Sequence, residues 1–251
     1  MLDELYLRGI TRRPAAEISD NYVYSIPAIR NLQTLTFHNP VTFFVGENGT
    51  GKSTLLEAIA VGCGFNAEGG TQNFQFSTQA THSDLHRGLQ FIRGYQRPKD
   101  GFFLRAESFY NVASEIDRLD QETAGLPSLR SSYGGKSLHE QSHGESFLAL
   151  MLNRFGGHGL YLLDEPEAAL SPSRQMSLLA LMHTLVEQHS QFLIATHSPI
   201  LMAYPNADIF LFDGGRITKT AYRDTEHYQI TKRFLDNPER MLRYLMGQDE
   251  S

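Results

Sequence analysis

The apolar residues of this chain fall into short blocks with two different periods. Three blocks are nearly continuous: residues 41–45 (Val-Thr-Phe-Phe-Val), 160–163 (Leu-Tyr-Leu-Leu) and 192–195 (Phe-Leu-Ile-Ala). Runs this short, bounded by turn residues, read as strands buried on both faces. Segments 5–10 and 29–37 alternate in part and predict strands of a small antiparallel sheet. Segments 89–95 and 102–107 flank Arg97-Pro98-Lys99-Asp100-Gly101, whose Pro and Asp-Gly are turn chemistry, and predict a hairpin. A second hairpin is predicted from 209–212 through Asp213-Gly214-Gly215 to Ile217. Helical spacing marks Leu55, Leu56, Ile59 and Ala60, then Val112, Ile116 and Leu119 in segment 109–119, then the apolar positions of 147–152. Segment 172–187 and an amphipathic stretch over 228–246 are also predicted helices. Segments 62–70 and 125–135 are turn-rich. Buried strands alternating with helices predict an α/β fold: a mainly parallel core sheet, an antiparallel β subdomain and a short helical lobe. The 251 residues suit one domain. Its core would comprise about 1–106 and 145–225, its lobe about 107–144 and its helical tail about 226–251.

The first continuous block runs straight into Gly46-x-x-x-x-Gly51-Lys52-Ser53, and a helical pattern follows. A strand, a Gly-rich loop and a helix in this order form a phosphate-binding loop, the hallmark of a P-loop NTPase. Glycines let the backbone turn its N–H groups onto phosphate, and the helix N-terminus adds positive potential. The candidate nucleotide-binding residues are Gly46, Glu47, Asn48, Gly49, Thr50, Gly51, Lys52, Ser53 and Thr54. Lys52 has the reach for β- and γ-phosphates, and the Ser53 hydroxyl suits Mg²⁺. The plainer alternative, an ordinary Gly-rich turn, does not account for the flanking strand and helix.

The second continuous block ends on Asp164-Glu165-Pro166. In open α/β sheets ligands bind at the carboxyl ends of the strands. Adjacent carboxylates at such an end point in different directions. Asp164 is therefore a candidate Mg²⁺ ligand and Glu165 a candidate base for an attacking water. The third block ends on Thr196-His197, and Ser142-His-Gly-Glu145 opens a helix with a capping box.

Composition narrows the setting without changing the chemistry. Hydrophobic content is 41%, enough for a real core. No apolar run approaches 18 residues, so no membrane insertion is expected. A single cysteine, Cys63, fits a reducing, cytoplasmic setting and reads as packing on the first helix. The net charge of −6 argues against non-specific coating of nucleic acid but leaves room for a local basic patch. Arg87, Arg93, Arg97, Lys99 and Arg105 form such a segment and read first as a solvated face. Tyr22 and Tyr24 are candidates to stack on a base, with packing the plainer role.

These motifs, taken in order, resemble the ATP-binding-cassette ATPase superfamily. The likeness rests on residues 46–54, Ser142-His-Gly-Glu-Ser, Leu-Leu-Asp164-Glu165-Pro-Glu-Ala-Ala-Leu-Ser171-Pro and His197, and it covers nearly the whole chain. It is most similar to the soluble branch of DNA-repair, chromosome-maintenance and overcoming-lysogenization-defect ATPases, and to small stand-alone ATPases within it. The resemblance implies ATP and Mg²⁺ as ligands and an ATP-dependent homodimer holding two nucleotides head to tail. It implies that Ser142 and Gly144 of one subunit touch the γ-phosphate held by the other, and that His197 contacts that phosphate. Residues 168–171 would cross the dimer interface. Nucleic acid or an effector protein would be the further partner.

The chain departs from the family pattern in three ways. Glu107 stands near where the family places a Gln that reaches the metal, and is a candidate third metal ligand. Ser171 stands where transporters carry Asp. Some 35 residues between Glu107 and Ser142 are too few for coiled-coil arms. Rival readings are the ATPase subunit of a membrane transporter, an ATP-gated clamp with hydrolysis as a timer, and a GTPase. The last lacks an Asn-Lys-x-Asp guanine-reading motif.

Overall fold

The computed structural model describes residues 4–13, 22–71, 83–107, 109 and 143–247. Its strands are β1 (Leu7–Arg12), β2 (Thr34–Thr36), β3 (Val41–Gly46), β4 (Leu89–Arg93), β5 (Asp100–Arg105), β6 (Gly159–Asp164), β7 (Gln191–Ala195), β8 (Asp208–Asp213) and β9 (Arg216–Thr220). The helices are a single turn α1 (Pro27–Arg30), then α2 (Lys52–Gly62), α3 (His143–Arg154), α4 (Pro172–Glu187), α5 (Glu226–Asp236) and α6 (Pro238–Leu245). Six strands form the core sheet in the order β5-β6-β7-β3-β8-β9, with only β9 antiparallel to its neighbour. A second sheet, β2-β1-β4, is antiparallel throughout.

The three continuous apolar blocks are the central strands β6, β7 and β3, each buried along its whole length. Alternate residues serve opposite faces. Phe44, Leu162 and Leu193 join α2 and the antiparallel sheet in one apolar layer. Phe43, Leu163 and Ile194 join α3 and α4, through Phe147, Leu150, Leu178 and Met182, in the other. Burying such a side chain contributes about 1.5–3 kcal/mol, so packing on both faces fixes the central strands. The strand ends then become a rigid platform.

Several expectations change. Segments 89–95 and 102–107 are not a hairpin. β4 pairs with β1, while β5 lies at the edge of the core sheet, parallel to β6. The connection is drawn two ways: the Gly94 N–H donates to Tyr6 O and the Lys99 N–H to His158 O. Phe102, Phe103 and Leu104 are all buried, the signature of a core strand rather than a half-exposed hairpin arm. The predicted strand 29–37 shrinks to Thr34–Thr36, because Pro27 opens a helical turn ahead of it. The tail breaks into two helices at Pro238, where the Asn237 side chain accepts the Arg240 N–H as a cap. The helix expected over 109–119, the loop 125–135 and Ser142 lie outside the described residues, apart from the buried Phe109. Tyr24 is buried and Tyr22 exposed. Burial pushes the Cys63 thiol up to about 11, as a packing role requires. Among the described residues no helix is long and apolar enough to cross a membrane.

Candidate active site at the carboxyl ends of the core strands

β3 delivers its last residue, Gly46, into the loop, and α2 begins at Lys52. The loop's shape requires its glycines. Gly46, Gly49 and Gly51 have φ of 138°, 78° and 100°. A Cβ on Gly46 would also lie 2.3 Å from the Phe212 carbonyl oxygen. The Thr50 hydroxyl donates to Glu47 O within the loop. Lys52 is buried and its ammonium donates to Gly46 O (2.7 Å) and Glu47 O (2.8 Å). Burial lowers its pKa, opposed by Glu165, Asp164, Glu47 and Glu167, so four carboxylates lie within electrostatic reach of this one ammonium.

The parallel register sets Arg105, Asp164 and Ala195 side by side at the ends of β5, β6 and β7. Asp164 is buried, and burial raises its pKa to about 6 against the pull of Arg105 and a hydrogen bond from Ser53. Its Oδ1 is buried with no hydrogen-bond partner among the described residues. An unpaired carboxylate oxygen beside the Ser53 hydroxyl is a hard-oxygen donor pair of the kind Mg²⁺ takes, so these residues fit that ion. Glu165 has a left-handed φ of 50°, uncommon for a side chain of this size.

Arg105 is a site residue that sequence reasoning placed on a solvated face. It is largely buried and binds Glu57 of α2 at 2.8 Å, approaches Asp164 at 3.4 Å and Glu107 at 3.5 Å. Glu107 itself is 86% exposed. Its carboxylate meets Arg105, and the guanidinium bridges it to Asp164. Ser53, Arg105, Glu107, Asp164 and Glu165 line one cleft of about 510 Å³.

His197 follows β7. Its Nε2 lies 3.8 Å from a Glu165 oxygen, and its Nδ1 lies 3.0 Å from Nε2 of His227, in the first turn of α5. Glu167 holds the backbone there, accepting from the His197 N–H (2.5 Å) and the Thr196 hydroxyl (2.8 Å). Burial lowers the His197 pKa, helped by Lys52 and His227, which favours the neutral ring. Lys52, Ser53, Asp164, Glu165 and His197 thus come together. Gly144, in the first turn of α3, packs against Ala169, which lines the same cleft: a Cβ there would meet Arg174 Nη1 at 2.5 Å and the Ala169 carbonyl at 2.7 Å. Glu167 had a local signal in the acidic run after β6. Arg105 had one in the basic segment. Glu57 and His227 had none, because only the fold brings them near.

Two family models match the chain, one on each half of this site. Residues 23–113 match an AAA domain, and residues 137–203 match an AAA domain described as a candidate AbiEii toxin of a type IV toxin–antitoxin system. A probable ATP-dependent transporter, ycf16, of Cyanidium caldarium is 28% identical over 76% of this chain and 82% of its own length. An uncharacterized ABC transporter ATP-binding protein of Haemophilus influenzae is 25% identical over 74% of each chain. These matches support a likeness to the ABC-type P-loop ATPase superfamily. The chain binds ATP and is an ATPase. Among solved structures, the SMC head domain from Thermotoga maritima is 16% identical, covering 86% of this chain and 98% of its own, with a TM-score of 0.45.

Proposed function

We propose that this ABC-type ATPase binds and hydrolyses Mg-ATP between two copies of itself, and that closure and hydrolysis drive or time a partner in a DNA-related or defence process. The observation that carries the reading is the gathering of the phosphate loop, Ser53, Asp164 and Glu165, with His197 beside Glu165, at the carboxyl ends of the core strands. Gly144, in the first turn of α3, packs on Arg174 and on Ala169, which lines the same cleft. In the two-copy reading the start of that helix in the second subunit meets the nucleotide held by the first.

Within the site, loop N–H groups and Lys52 bind the β- and γ-phosphates. The Ser53 hydroxyl and Asp164 would hold Mg²⁺, which when bound neutralises phosphate charge, with Glu107 at the cleft mouth. Glu165 takes the proton of the attacking water, and His197 presents Nε2–H to the γ-phosphate. Residues 142–144 of the second subunit close over that phosphate. ADP lacks it, so only ATP favours the closed pair.

Glu165→Gln keeps shape but cannot accept a proton. Turnover should fall by about 10²–10⁴-fold with ATP binding retained. With Mg-ATP this variant should run as a dimer by light scattering, and with ADP as a monomer. Ser142→Arg should block the dimer but not ATP binding. An assembly state indifferent to nucleotide and to Ser142→Arg would sink the two-subunit site. A second reading, an ATPase subunit serving a membrane transporter, is supported by the printed names of the Haemophilus and Cyanidium relatives. Co-purification with an integral membrane protein would favour it.

A further inference from the structure

His197 and His227 are 30 residues apart in sequence and share a 3.0 Å hydrogen bond. The tail segment is anchored where it delivers His227. Tyr222 donates its hydroxyl to Pro199 O at 2.9 Å, two residues beyond His197. Thr225, fully buried, donates to Tyr222 O and accepts the Tyr228 N–H as the cap of α5. The rings of Tyr222 and Tyr228 stand 4.7 Å apart. His227 is therefore placed against the site rather than hanging from a loose tail.

One proton lies between the two rings, and its side decides the chemistry of His197. If His197 Nδ1 carries it, His197 Nε2 is a bare acceptor. If His227 Nε2 carries it, His197 Nδ1 accepts and the single ring proton of His197 sits on Nε2. The two outer nitrogens, His197 Nε2 and His227 Nδ1, are buried without hydrogen-bond partners among the described residues. Each arrangement leaves one of them a bare acceptor and the other an N–H donor. What lies beyond them breaks the tie. His197 Nε2 faces the Glu165 carboxylate at 3.8 Å and the phosphate end of the site. An N–H there meets negative charge, whereas a bare nitrogen would be repelled by it.

We propose that His227 is the positioning residue of His197: it donates from Nε2 to His197 Nδ1 and so holds the His197 proton on Nε2, toward the γ-phosphate. The tail helix thereby becomes part of the ATPase site without touching nucleotide. The inference rests on the reading of His197 as a γ-phosphate contact, and the test separates the two.

Imidazole nitrogen spectra of the full chain, ¹⁵N-labelled at histidine, should be recorded with Mg²⁺ and the non-hydrolysable analogue adenylyl imidodiphosphate. His197 should show a protonated Nε2 and a bare Nδ1. His227→Phe keeps an aromatic ring but removes the donor. It should lower turnover about tenfold, the effect of one hydrogen bond, with ATP affinity changed less than about twofold. It should also abolish the fixed His197 tautomer. His227→Gln, whose amide can donate from a similar position, should restore turnover to within about threefold. If His197→Ala leaves turnover unchanged, the γ-phosphate reading of His197 fails. If His197→Ala is slow but His227→Phe is as fast as wild type, the positioning role fails. Should His227→Phe not fold, the wild-type spectrum decides alone: His197 protonated on Nδ1 in the analogue complex overturns the proposal.

Discussion

The two ends of the core sheet use buried carboxylates in opposite ways. At the amino ends, Asp208 of β8 is fully buried and saturated: it accepts from the His38 N–H, the Asn39 N–H and side-chain amide, and Lys219 at 2.6 Å. Asp100 of β5 likewise accepts from Arg154, the Gly156 N–H and the Tyr161 hydroxyl. Burial alone would raise both pKa values, yet these partners hold both below the ordinary carboxylate range. At the carboxyl ends, Asp164 is as deeply buried but has an unpaired oxygen and a pKa raised to about 6. Glu167 is also raised, by burial, despite its three hydrogen bonds. The Lys52 pKa is lowered by the same burial. What differs is the partner set: Asp100 and Asp208 each bind a cation directly, Arg154 at 2.8 Å and Lys219 at 2.6 Å, besides their other donors, whereas Arg105 stands 3.4 Å from Asp164, which keeps an unpaired oxygen. A carboxylate that is buried and saturated stabilises the fold; one that is buried and unsaturated is disposed to take a ligand.

The largest effect that tests this contrast is on binding. Lys52→Ala removes the ammonium from the phosphate loop, where its present partners are two backbone carbonyls. ATP affinity by calorimetry should fall by at least about 100-fold, the loss of a charge-assisted contact to phosphate. Unfolding free energy should move by about 1 kcal/mol or less, because burial already opposes this charge. Unaltered affinity would remove the phosphate-loop assignment and with it the functional half of the comparison.

How far the chain discloses such a division depends on what is local. Strands β3, β6 and β7 are legible because each is one uninterrupted apolar run, and a run needs no partner to be recognised. The glycines at 46, 49 and 51 are legible for the same reason: their positive φ is a property of the loop itself. Pairing is not local. The Pro and Asp-Gly between β4 and β5 are real turn chemistry, yet the strands on either side join different sheets. Arg105 was visible as a charge but not as a buried one, because its partners Glu57 and Asp164 arrive from α2 and β6. His227 was invisible: nothing near residue 227 mentions residue 197. The Asn237-Pro238 break in the tail, by contrast, is written locally, since an Asn cap before Pro at N1 is a helix start.

A smaller effect is expected from the amino ends, on stability instead of binding. Asp208→Ala would strand four donors that the carboxylate now satisfies, although one of them, Lys219, is half-exposed and can turn to water. The loss should be about 2–3 kcal/mol in urea unfolding, with ATP affinity unchanged. Acid should reproduce it. A carboxylate whose folded pKa is depressed contributes stability above its unfolded pKa, near 4, and loses it as the pH falls through the folded value. Wild-type stability should therefore drop below about pH 4, and Asp208→Ala should flatten that drop. A variant that kept its stability but lost ATP affinity would invert the comparison.

The smallest effect is also the one that separates saturation from burial most directly. Asp164→Asn preserves shape and leaves the residue buried, but removes the charge. With chelator present and no nucleotide, the raised pKa has a definite consequence. Above about pH 6 the folded state must hold an ionised Asp164 that burial disfavours; the Arg105 and Ser53 contacts are already included in that balance and do not reverse it. Between about pH 6 and 4 the folded state takes up this proton before the unfolded chain does, so Asp164 adds stability as the pH falls, opposite in sign to Asp208. Asn carries no such penalty. Asp164→Asn should thus be more stable than wild type by on the order of 1 kcal/mol at pH 8, a fraction of the limit that the shift allows. The gap should close as the pH is lowered toward 4, where the wild-type carboxyl is neutral in the folded state. The same substitution should weaken Mg²⁺-dependent ATP binding, since an amide is a poor ligand for that ion. A variant less stable than wild type at pH 8 would mean that Asp164 is a saturated structural carboxylate like Asp208, and the two ends of the sheet would no longer differ in kind.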